Sequence, residues 1–170
     1  MPGHPIELNL AAARKLFPSI PEIVFNDWLV ERVVTAGWPP HGARWNALLC
    51  GYSPNEWSEF SWEEREVDLY GLSFSEQALR IIRGLSEARF TNITNAYTNI
   101  ENSDHRMQSI YAHIKRTRRL PGSVVLIDGP PWEIIDGSHW ITMYVAWLRD
   151  NDFHFEIDRN QSAWIATPMR

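Results

Sequence analysis

Cysteine is almost missing from this chain: Cys50 is the only one among 170 residues. That excludes an internal disulfide and any cysteine cluster able to hold zinc. It fits a cytoplasmic setting. Long apolar runs are lacking as well, since no stretch approaches the ~20 residues of a membrane span. The opening "MPGHPIELNLAAARKLF" has no basic start followed by an apolar run, so it does not read as a secretory signal. Positive charge is scarce, with 16 Lys and Arg against 21 Asp and Glu and a net charge of −5. That balance disfavours nucleic acid as a broad electrostatic partner. Internal repeats and low-complexity linkers are absent. What these absences leave is a soluble chain, long enough to bury a core without a metal or disulfide staple.

Tryptophan, by contrast, is abundant, at nine residues. Some should be core, and so many also suggest aromatic walls around a groove or an interface. The chain divides near residue 100. In the first part, "ELNLAAARKLF" is a short helix stopped by Pro18. "PEIVFNDWLVERVVTAG" is a second helix, with Pro21 at its start and Gly37 as C-cap. "WPPHGARWNALLCGYSPNEW" reads as turn-rich, and "SWEEREVDLYGLSFSEQALRIIRGLSEARF" as one or two helices.

The second part is more regular. Met107, Ile110, Tyr111 and Ile114 recur at i, i+3, i+4 and i+7 on a helix that Ser103 caps and Pro121 and Gly122 terminate. "HIKRTRRL" adds Lys115, Arg116, Arg118 and Arg119, cations that suit a helix C-terminus. "SVVLID" and "WEIID" are strands joined by "DGPP", a hairpin pattern. From Ser138 a helix would share a face among Trp140, Ile141, Tyr144, Val145 and Leu148, and "FHFEID" alternates like a strand. The order helix, strand, strand, helix, strand defines an α+β fold. Residues 1–87 form a mostly helical N-terminal extension, and residues 88–170 form the core.

The corner Asp136-Gly137-Ser138-His139 is the part of the sequence that carries chemistry. Gly137 permits a tight turn or a close backbone approach. The first amides of the following helix lack intrahelical acceptors and sit at the positive end of its dipole, which suits phosphate or carboxylate. Ser138 can cap the helix or donate to an anion, and His139 can donate when protonated. Asp136 can hold the turn, orient His139 or bind a metal carried by a nucleotide. The same four residues also make an ordinary Asp-Gly turn with a serine cap and a half-buried histidine.

The stretch "SIYAHIKRTRRLPGSVVLIDGPPWEIIDGSHWITMYVAW" resembles the ParB/sulfiredoxin-like family, over about residues 100–165. The matching pieces are Ser109-Ile110, Ile114, Pro121, "VVLID", "WEIIDG" and Ser138-His139, the last standing for a "DGxHR" box. The resemblance implies a small α+β fold that binds ATP, ADP or CTP with Mg²⁺, the box and its helix holding phosphates. Carried onto this chain, Asp136, Gly137, Ser138 and His139 would be the phosphate-binding box, with Trp140 next to it. Trp140 stands where the family has arginine, so a cation from the preceding helix (Arg106, Lys115 or Arg116) would replace it.

Glu101, Asp104, His105 and Arg106 cluster at the start of that preceding helix. A carboxylate there, Glu101 or Asp104, would be the base toward a hydroxyl or would help hold Mg²⁺. His105 and His139 have no HExxH-type partner, which disfavours a metal site made by them. The activity expected from these residues is phosphoryl transfer from a nucleotide to a small hydroxyl substrate, with His139 and Asp136 beside the reacting phosphate. The alternatives are a protein-interaction module that has lost nucleotide chemistry, and a nuclease of the same fold.

Overall fold

The computed structural model describes residues 5–91, 103–149 and 157–169. Its contacts separate two compact units, one of residues 1–63 with 165–170 and the other of residues 64–164.

The first unit is built on helices: α1 (Pro5–Leu16), α2 (Glu22–Val24), a π-helical turn (Phe25–Leu29), α3 (Val30–Ala36), α4 (Gly42–Leu48) and α5 (Pro54–Ser58). The second expected helix is present as α2 through α3, broadened in the middle by the π turn. It stops at Gly37, whose φ of 82° suits a residue without Cβ. Helices α4 and α5 occupy the segment that reads as turn-rich. Pro54 at the first position and a capping box from Ser53 and Glu56 explain how so short a piece as α5 holds together. Aromatic packing supplies the reason for folding here. Trp28, Trp45 and Trp57 are fully buried. Trp57 lies 5.6 Å from Trp28 and 4.7 Å from Phe60, ring centre to ring centre. Its indole N–H donates to the Leu49 carbonyl at 3.0 Å. These tryptophans are core rather than the walls of a groove.

Strands β1 (Ser61–Asp68), β4 (Asn160–Thr167), β2 (Val124–Ile127) and β3 (Glu133–Asp136) form one sheet in that spatial order. The second unit adds α6 (Glu76–Thr91), α7 (Ser103–Thr117) and α8 (Ser138–Arg149). An α+β class is therefore present, and α7, β2, β3, α8 and β4 follow the expected order. Val124 to Ile127 are all buried, as a strand with neighbours on both sides requires. β2 and β3 are antiparallel, with Leu126 opposite Ile134 and an irregularity between Val125 and Leu126. Helix α8 packs on α6, α7 and β2. Such enclosure accounts for four successive buried residues, Ile141 to Tyr144, where one amphipathic face was expected.

Two elements differ from the sequence reading. "SWEEREVD" is strand β1, although its Glu-rich composition favours helix. It lies at the sheet edge, where charged side chains protect exposed backbone. Glu64 accepts from Ser123 at 2.9 Å, and Glu66 pairs with Arg119. Tertiary contacts have overridden local propensity. The last strand is Asn160–Thr167 rather than "FHFEID", whose residues 153–156 lie outside the described segments.

Candidate anion-binding pocket

Strand β3 ends at Asp136 and α8 begins at Ser138, so Gly137 alone makes the turn, with φ at 86°. A Cβ on it would meet Val124 Cγ1 at 2.9 Å. The helix then closes normally, with the Ile141 amide donating to the Gly137 carbonyl at 2.9 Å and the Thr142 hydroxyl to the Ser138 carbonyl at 2.7 Å.

Trp140 leaves this turn with its six-membered ring over two glycines. A Cβ at Gly122 would meet Trp140 Cη2 at 3.2 Å, and one at Gly137 would meet Cε3 at 3.4 Å. The indole edge thus presses on Gly122, where a Cβ would crowd it, whereas one at Gly137 would touch it at ordinary contact distance. With Pro121 it walls a pocket of about 380 Å³ whose other side is α7: His105, Arg106, Ser109, Ile110 and His113. Spacings of three, four and seven residues put those five side chains on one helix face. No carboxylate is among the described lining residues. Arg106 is exposed and forms no ion pair among the described residues. The wall therefore offers a guanidinium, two imidazoles, a hydroxyl and an indole, a set that complements an anion with a flat ring.

The expected site residues divide. Arg106 and Trp140 meet at the pocket. His139 points elsewhere: it is 9% exposed, it is not in the lining, and its Nε2 has no partner among the described residues. Burial, with the Arg106 charge as a second cause, lowers its pKa to about 4. It is neutral at physiological pH. Gly137 and Ser138 shape the turn without lining the pocket, and Asp136 is half-buried and engaged within the protein. Lys115 and Arg116 are exposed, two and three residues beyond the lining stretch of α7. Glu101 and the side chain of Asp104 lie outside the described residues. His113 was missed, and Ser109 was noted only as part of a motif. The signal for both was present in the spacing His105-x₃-Ser109-x₃-His113.

A larger hollow of about 510 Å³ is lined by Ser75, Glu76, Gln77, Arg80, Ile81 and Glu133. Its polar groups satisfy one another. Ser75 Oγ donates to Glu133 at 2.6 Å and accepts from the Ala78 amide at 3.0 Å, while Arg80 pairs with Glu76 at 2.7 Å. Size alone does not make it the better site for an anion, because two carboxylates, Glu76 and Glu133, stand there against the single guanidinium of Arg80.

Among the described residues no group of three or more His, Cys, Asp or Glu could hold a metal ion. The described pocket lining offers no carboxylate to a Mg²⁺ ion, which protein sites usually hold with one or two carboxylates besides substrate phosphates and water. No described helix is long and apolar enough to cross a membrane. No family model, curated protein or solved structure matches the chain.

Proposed function

We propose that the pocket between α7 and Trp140 binds a nucleotide, and that the protein transfers a phosphoryl group from it to a small hydroxyl substrate. The core would then be of ParB/sulfiredoxin-like fold, with the anion grip moved from the box onto the preceding helix. One observation carries this reading: among the described residues the pocket's polar side chains have no hydrogen-bond or ion-pair partner, no carboxylate stands in the lining, and an indole adjoins them. The base would stack on Trp140, and Arg106 would pair with phosphate in the role the family gives to the arginine that Trp140 replaces. Phosphate esters suit such a site because their transfer depends on positioning and charge stabilisation rather than on covalent help from the protein.

A second reading, a non-catalytic interaction module, is favoured by a different observation. Of the box residues Asp136 to Trp140, only Trp140 reaches the pocket. ATP, CTP and ADP with Mg²⁺, added while melting is followed, separate the two. At 100 times Kd a nucleotide should stabilise the fold by about 2.7 kcal/mol, several degrees in Tm for a chain of this size. Arg106→Gln should cut nucleotide affinity at least tenfold and leave the ligand-free Tm within about a degree of wild type. Absence of a shift with all three nucleotides would remove the nucleotide reading and leave the interaction module.

A further inference from the structure

We infer that Ser109 is itself a phosphoryl acceptor, a covalent station between nucleotide and final substrate, with His105 and His113 moving its proton. The inference rests on the nucleotide reading of the same pocket. Its starting point is geometry: His105, Ser109 and His113 follow one another at four-residue intervals on α7, and all three line the cavity. Four residues advance a helix by about 6 Å, so each imidazole is within a side chain's reach of the hydroxyl between them.

The hydroxyl is also available. Helical Ser and Thr commonly bond back to the carbonyl one turn earlier, and three threonines here do so: Thr35 to Glu31, Thr117 to His113 and Thr142 to Ser138. Ser109 makes no such bond among the described residues and is exposed to the pocket. An alcohol needs a neighbouring base to become a nucleophile, and imidazole is the side chain best suited to take that proton near neutral pH. Arg106, three residues before Ser109, supplies a permanent positive charge on the same wall for the equatorial phosphate oxygens.

In the first step Ser109 Oγ forms a bond to the γ-phosphorus as the bond from that phosphorus to the β-bridging oxygen breaks. The electron pair leaves with the nucleoside diphosphate, and the hydroxyl proton passes to one imidazole. In the second, a substrate hydroxyl attacks the phosphoseryl phosphorus and gives its proton to the other imidazole. The first imidazole returns its proton to Ser109 Oγ, and the second releases the substrate's proton to solvent, the one proton that the overall transfer sets free. One histidine thus takes and returns the serine proton while the other carries away the substrate's.

The full chain, incubated with Mg²⁺ and ATP or CTP labelled in the γ-phosphoryl group, tests this. Acid-stable label on Ser109 is the expected result, lost in Ser109→Ala while that variant keeps the nucleotide-induced Tm shift. His105→Gln with His113→Gln should lower the labelling rate at least tenfold, with nucleotide affinity changed only a few-fold. Label that is acid-labile and maps to an imidazole, or a wild type that binds nucleotide and takes no label, overturns the inference and leaves the nucleotide reading standing. A wild type whose Tm answers to no nucleotide overturns both.

Discussion

His139, buried beside the pocket, feels the charge of Arg106 in its wall. Its pKa of about 4 lies below the 6.5 of an unfolded histidine, because burial disfavours the imidazolium and the Arg106 guanidinium repels it. Above pH 6.5 both states are neutral there and folding is unaffected. As pH falls from 6.5 to about 4 the unfolded chain takes up a proton that the folded chain refuses, so stability falls across that window and then levels. The loss amounts to roughly 3 kcal/mol. Urea unfolding between pH 4 and 7 should show it, and His139→Leu should lack that component while the carboxylate contributions persist. Arg106→Gln should move the His139 titration upward, measured by NMR. A wild-type profile that matches His139→Leu across the window would mean the imidazole is already hydrated in the folded state. The orphaned Nε2 is the residue-scale cost of placing an imidazole under the turn.

The turn itself belongs to the scale of elements, and two of its features are rigid. Gly137→Ala would force a Cβ to within 2.9 Å of Val124 Cγ1, at a φ that L residues avoid. We expect a loss of about 2–3 kcal/mol in unfolding free energy, from strain and overpacking together. Gly122→Ala meets only the edge of Trp140, at 3.2 Å, and should cost less while tilting the indole. Nucleotide affinity should therefore fall more in the second variant than its stability does. At the start of α6, Ser75→Ala removes a cap and the donor to Glu133 together, at a cost of about 1–2 kcal/mol by denaturant titration. Elements such as α7, β2, β3 and α8 were legible in the sequence because their periodicity and their caps agree. β1 was not, since its Glu residues favour helix locally and only partners far along the chain, Ser123 and Arg119, make it a strand. The pocket was half legible. Arg106 and Trp140 could be named as replacing one another, but nothing local told that His139 turns inward while His113, a turn past Ser109, turns toward the cavity.

For the molecule as a whole, the sequence reading sets a helical extension, residues 1–87, before a core. The contacts cluster as residues 1–63 with 165–170 and as residues 64–164. Both crossings fall inside strands, between Glu63 and Glu64 in β1 and between Trp164 and Ile165 in β4. We expect one cooperative transition, the usual behaviour of chains not much longer than about 150 residues. Nine tryptophans make this measurable: Trp28, Trp38, Trp45, Trp57 and Trp62 report on the first unit, and Trp132, Trp140, Trp147 and Trp164 on the second. Intrinsic fluorescence and far-UV circular dichroism should give one coincident urea transition, with an m value scaled to all 170 residues. Nucleotide should then shift that single transition as a whole, including the signal of tryptophans in the unit that lacks the pocket. A fluorescence change that separates into two steps, with only the later one responding to ATP, would show two independently folding units and a ligand that stabilises one of them.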